Sequence, residues 1–181
     1  RQAVFADGRP DAPVMVVGEA PGRDEDREGR PFVGRAGVLL DKMMAAIGLD
    51  RRAEASDRAF YVTNLVYWRP VGNRTPSDDE AAMLLPFLER HVELAAPKVV
   101  LLAGGVPAKA LLDATVGITR LRGRWRRWND VPCLPVFHPA YLLRNGAKKR
   151  EAWRDLLALR AVLDGGPDGA GRDRGGPARR L

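Results

Sequence analysis

The chain has a single cysteine, Cys133, among 181 residues. That excludes an intrachain disulfide, and it excludes a zinc or iron–sulfur site built within this chain on several thiolates. Long apolar runs are missing as well. The longest cover only a few residues, far short of the roughly 20 that a membrane helix requires. No charged-then-apolar segment opens the sequence, so nothing points to export, and a reducing, cytoplasmic setting is expected. Internal repeats are not evident. The first apolar run is followed by Gly18-Glu19-Ala20-Pro21-Gly22, which lacks the Lys-Ser/Thr of a phosphate-binding loop and so argues against a mononucleotide-binding protein.

What is present reads as one soluble domain. The chain is 45% apolar and 29% charged, with room for a sizeable core. Its formal net charge is +7, which favours polyanionic partners, nucleic acid first. An arginine-rich composition without any such partner explains the charge equally well, so charge alone does not decide.

Four compact apolar runs are predicted as buried strands: Val14–Val17, Phe60–Thr63, Val99–Ala103 and Cys133–Phe137. Helical periodicity lies between them. Leu40, Met43, Met44 and Ile47 share a face before Gly48. Ser77-Asp78-Asp79-Glu80 is a capping box opening a helix with Leu84, Leu85, Leu88 and Val92 on one stripe. Pro107–Ala114 is a shorter helix. Lys149–Asp164 is the last, with Trp153, Leu156, Leu157 and Leu163 as its apolar positions. Strands alternating with helices predict an α/β fold, a three-layer αβα arrangement around a mainly parallel four-stranded sheet. The domain is expected over 1–164, and the Gly-, Pro- and Arg-rich stretch 165–181 is expected to be a disordered basic tail.

The informative residues follow the strands. The first runs into Glu19, the second into Asn64, the fourth into His138. In an open parallel sheet the ligand crevice lies outside the carboxyl ends of the strands, so a carboxylate, a carboxamide and an imidazole would converge there. Singly, each has a plainer explanation: a turn asparagine, a histidine before proline, a solvated loop glutamate. Their joint placement at three strand ends favours a site.

Gly18-Glu19-Ala20-Pro21-Gly22-Arg23-Asp24-Glu25-Asp26, followed by Gly29-Arg30-Pro31-Phe32-Val33-Gly34-Arg35-Ala36-Gly37, closely resembles the first motif of family-4 uracil-DNA glycosylases. Val62-Thr63-Asn64-Leu65-Val66 and Arg69-Pro70-Val71-Gly72-Asn73-Arg74 resemble the central motif. His138-Pro139-Ala140-Tyr141-Leu142-Leu143-Arg144-Asn145 resembles the closing one. The likeness runs from about Val4 to about Leu163. It implies a monofunctional base-excision enzyme that flips uracil out of DNA and leaves an abasic site. A monomer with uracil-containing DNA as its partner is expected, with no membrane association.

The resemblance also implies roles. Phe32 stacks on the flipped base and Asn64 reads its edge. His138 contacts uracil O2, where negative charge develops. Glu25 is the candidate wall against the thymine methyl group. Ala20 stands where the best-known uracil glycosylases carry an aspartate, leaving Glu19 as the nearest group that can orient water. Leu142, Leu143 and Arg144 belong to the loop that wedges into the duplex, with Arg74 and Arg122 as phosphate contacts. Trp125 and Trp128, set among arginines, are either stacking residues or part of an amphipathic strand edge. Family members usually carry a four-cysteine iron–sulfur cluster. Here two of its ligand positions are Trp68 and Leu84, so no metal cluster and no other cofactor is expected. A related subgroup becomes covalently attached to DNA through a histidine inserted after the central motif. No histidine is inserted between Arg69 and Pro76, so a trapping or non-catalytic binder is the second choice.

Overall fold

The computed structural model describes residues 1–167, so the predicted basic tail lies outside the described residues from 168 onward. Six strands run in chain order: Ala6–Gly8 (β1), Val14–Gly18 (β2), Phe60–Asn64 (β3), Val99–Ala103 (β4), Arg126–Trp128 (β5) and Val131–Val136 (β6). They form one sheet ordered β1-β3-β2-β4-β6-β5. The four inner strands pair in parallel, and β1 and β5 add antiparallel edges. The expected four-stranded sheet is therefore corrected to six. The two additions are three-residue edges, partly exposed, whose composition carries no apolar run.

The inner strands are buried on both faces, as parallel strands between two helical layers must be. Their side chains alternate. Val14 and Val16 meet the layer of helices Arg35–Ala46 (α2) and Lys149–Leu163 (α7), through Leu40, Met44, Leu156 and Leu159. Met15 and Val17 meet the opposite layer, Asp78–Ala95 (α3) and Gly105–Leu112 (α4), through Leu84, Leu88, Val92 and Leu111. Helix α3 starts at the predicted box: the Glu80 amide donates to Ser77 Oγ at 3.1 Å, and the Ser77 amide donates to the Glu80 carboxylate at 2.8 Å.

On α7 the buried stripe differs from the expected one. Ala152, Asp155, Leu156 and Leu159 face inward, while Trp153 and Leu157 are exposed. Asp155 hid the stripe, because an aspartate reads as a surface residue; here Arg122 neutralises it. Leu84 belongs to the α3–α4 core and Trp68 packs half-buried against it, so both positions that the resemblance assigns to cluster cysteines are taken up by apolar packing. Trp128, on the edge strand β5, and Trp125, just before it, pack partly buried against the two opposite core layers.

The chain leaves β2 for β3 beneath α2, then crosses over α3 to β4 on the other side of β2. The direction of winding reverses at β2, which opens a crevice at its carboxyl end.

Candidate active site

Asn64 closes β3 directly opposite Gly18, the last residue of β2. Its side chain is 2% exposed, and Oδ1 is buried without a hydrogen-bond partner. A polar oxygen is rarely left so, because an unmet buried acceptor costs about 1–3 kcal/mol. Gly18 allows the arrangement. A Cβ there would lie 2.5 Å from Asn64 Oδ1 and 2.5 Å from Phe32 Cζ, so the missing side chain lets the carboxamide and the aromatic ring approach the same strand end.

Phe32 reaches this point from the loop after β2. A short helix, Arg23–Glu28 (α1), turns that loop back toward the sheet. Phe32 is buried with φ 54°, left-handed backbone that a non-glycine residue adopts only under constraint. The Glu25 carboxylate supplies part of the constraint. Oε1 accepts from the amides of Val33 at 3.0 Å and Gly34 at 2.9 Å, and Oε2 from Gly22 at 3.1 Å. Both oxygens of the residue marked as a methyl wall are thus committed to the loop's own backbone.

His138 follows β6 and caps a short helix, Pro139–Arg144 (α6). Its Nδ1 accepts from the Ala140 amide at 3.0 Å. A nitrogen that accepts carries no proton, so the neutral ring bears its hydrogen on Nε2. Burial first, then the positive charge of Arg144, push the ring's pKa down to about 4 against an opposing pull from Glu25. The ring stacks near Phe32, with centroids 5.5 Å apart and planes 24° from parallel. Two stacking contacts need about 7 Å, so no flat ring fits between these two. Gly104, just beyond β4, backs the imidazole: a Cβ there would lie 3.2 Å from His138 Cβ. Nothing in the sequence marked this glycine.

Glu19 is half-buried beside Ala20, and burial raises its pKa. Its carboxylate makes no hydrogen bond or ion pair among the described residues. A raised proton affinity makes it a better base than an ordinary carboxylate.

The candidate DNA contacts divide. Leu142 is 1% exposed and packs with Phe137 and Ala152, so it is core, whereas Leu143 and Arg144 are exposed at the end of α6. The wedge segment, expected as a loop, is helical. Arg74 is held by Glu80 at 2.6 and 2.7 Å. Arg122 donates through Nε to Asp155 at 2.8 Å and again through Nη2, which ties the end of the short helix Ile118–Leu121 (α5) to α7 and engages its guanidinium within the fold. Among the described residues no group of three or more His, Cys, Asp or Glu side chains is placed to hold a metal ion. With the Trp68 and Leu84 positions taken up by apolar packing, a thiolate-held cluster does not fit these residues.

Proton NMR should find the His138 ring, assigned by its loss in His138→Ser, titrating near pH 4. The folded value lies below the unfolded one of about 6.5, so acidification across that window should favour the unfolded state. A midpoint near 6.5 would contradict the buried neutral tautomer.

The carboxyl edge of the parallel sheet thus brings together an aromatic ring, a buried carboxamide and a neutral imidazole. Residues 5–157 match the uracil DNA glycosylase superfamily, and the chain belongs to that superfamily. It is 37% identical over 169 residues to a type-4 uracil-DNA glycosylase of Sulfurisphaera tokodaii, covering 88% of this chain and 74% of that protein. It is 40% identical over 144 residues to that of Thermotoga maritima, covering 78% and 72%. It is 39% identical over 161 residues to that of Archaeoglobus fulgidus, covering 84% and 77%.

Proposed function

We propose that this protein is a monofunctional DNA-repair glycosylase. It hydrolyses the N-glycosidic bond of uracil in DNA, acts as a monomer in the cytoplasm, and leaves an abasic site. The observation that carries this reading is the buried, unpartnered Oδ1 of Asn64 beside the Phe32 ring. A flipped uracil stacked on Phe32 offers N3–H to that oxygen and O4 to the amide NH2. Cytosine presents the opposite pattern at both atoms. Flipping costs a few kcal/mol of stacking and pairing, offset by these contacts and by Leu143 and Arg144 filling the vacated space.

As the C1′–N1 bond breaks, its electron pair leaves with the base, and negative charge gathers at O2. The Nε2–H of neutral His138 donates there. Water adds to C1′, and its proton passes to Glu19 or to solvent. Ala20 leaves room beside Glu19 for that water. Thymine is rejected by the closeness of the loop that Glu25 pins, an indirect role for the carboxylate.

The test is incubation with a labelled uracil-containing oligonucleotide followed by alkaline cleavage of abasic sites. Strand scission at the uracil position, with free protein recovered, is expected. A protein–DNA adduct surviving denaturation would indicate trapping instead, and no scission would remove the catalytic reading.

A further inference from the structure

Arg51 is 5% exposed, and two of its four side-chain hydrogen bonds go to one short stretch of backbone. Nη1 donates to the Pro31 carbonyl at 2.9 Å and Nη2 to the Phe32 carbonyl at 2.8 Å. Nε donates to Asp41 at 2.8 Å, and Nη1 also reaches Asp7 at 3.3 Å. The two carbonyls flank the residue whose backbone is left-handed. Glu25 holds the amides on the far side of the same residue. A half-buried anion therefore collects the loop's donors and a buried cation collects its acceptors. Gly37 completes the fit, since a Cβ there would lie 1.9 Å from the Phe32 carbonyl oxygen.

Side-chain packing holds Phe32 against the α2–α7 core on one side but leaves space on the other. A cavity of about 490 Å³ adjoins the loop there, lined by Phe32, Val33, Val38, Arg51 and Phe60 among others. Where packing leaves space, polar contacts must set the position. We propose that Arg51 is a positioning residue for base recognition: by binding the Pro31 and Phe32 carbonyls it fixes the ring on which the flipped base stacks. The proposal rests on the uracil-excision reading given above. None of the contacts is between Arg51 and the base, so Arg51 acts through Phe32 alone.

The substitution that tests this is clean. Asp7 keeps Arg52 at 2.6 Å and Arg30 at 3.7 Å when Arg51 is removed, and Asp41 is half exposed to solvent. Arg51→Met therefore leaves no buried carboxylate unpaired, and the full chain should fold. Single-turnover excision of uracil should fall at least about tenfold, because small misplacements of a reacting group carry large rate costs. Affinity for uracil-free duplex DNA should stay within about twofold, since no phosphate contact is touched. In a Phe32→Ala background the same change should do almost nothing, as there is no ring left to position. Arg51→Lys keeps the buried charge but not the two-pronged grip, so it should fall between. An equal drop in both backgrounds, or full activity in Arg51→Lys, would overturn the proposal. A readout free of activity separates this from failure of the uracil-excision reading. In protein labelled with 4-fluorophenylalanine, the Phe32 resonance, assigned by its loss in Phe32→Ala, should shift in Arg51→Met, as should that of Phe60, over whose ring the guanidinium sits at 5.5 Å, while Phe5, Phe87 and Phe137 hold. An unshifted resonance would overturn the clamp even if wild type excises uracil. A shifted one with an inactive wild type would indict the functional reading instead.

Discussion

Replacing His138 by alanine is expected to lower single-turnover uracil excision by about 10²–10³, the usual loss for one donor aimed at a developing oxyanion. DNA affinity should barely change, since the imidazole faces the pocket and the exposed cations lie elsewhere. The structure adds a complication that the experiment must remove. His138 also caps α6, accepting from the Ala140 amide, and α6 carries Leu143 and Arg144. Losing a cap costs about 1 kcal/mol of helix stability, which could loosen the wedge and mimic a catalytic defect. His138→Ser separates the two. Serine caps as well as any residue but is too short to offer a donor where Nε2 lies. It should restore melting temperature while leaving the rate as low as in alanine. If serine restored the rate as well, the histidine would be a helix cap and nothing more. A wild-type rate that rose on acidification toward pH 4 would argue that the cation, not the neutral ring, is the working form.

Much of this site could be read from the residues because parallel strands announce themselves. Val14–Val17 and Val99–Ala103 are unbroken apolar runs, and the first polar residue after such a run stands at the crevice edge. Glu19, Asn64 and His138 were found that way, and the resemblance supplied Phe32. What escaped was set by contacts distant in sequence. Arg51 stands in an Arg-Arg pair after a helix and reads as surface, yet its partners lie 19 and 20 residues earlier. Arg122 reads as a phosphate contact until Asp155, 33 residues on, is seen to hold it. Leu142 and Leu143 are chemically identical, and only the phase of a six-residue helix sends one to the core and the other to solvent. The left-handed turn at Phe32 left no mark at all, because the sequence places no glycine there; neighbours impose the conformation. The edge strands were missed for the opposite reason, being too short for any period to show.

Asn64→Asp is expected to reduce uracil excision by about fivefold to 160-fold, the span that about 1–3 kcal/mol of unmet buried polarity implies. The two side chains are nearly isosteric, so Gly18 and Phe32 need not move and packing is preserved. What changes is the donor. Uracil O4 would face an oxygen in place of an NH2, and a carboxylate 2% exposed with no cation beside it is held poorly. Burial should therefore raise the new carboxyl's pKa. In its protonated form it carries an O–H for cytosine N3 and an oxygen for the cytosine amino group, the complement of the wrong base. Weak cytosine excision should then appear at low pH and fade as pH rises and the proton is lost. The stability sign runs the same way. The folded pKa lies above the unfolded one, so melting temperature should be nearest wild type in acid and fall as pH rises through the folded value. The measurement is single-turnover excision of uracil and cytosine across pH, with melting curves at each pH. If Asn64 merely closes a turn after β3, the well-folded variant will excise uracil at the wild-type rate, and the buried oxygen will have to be explained without a base.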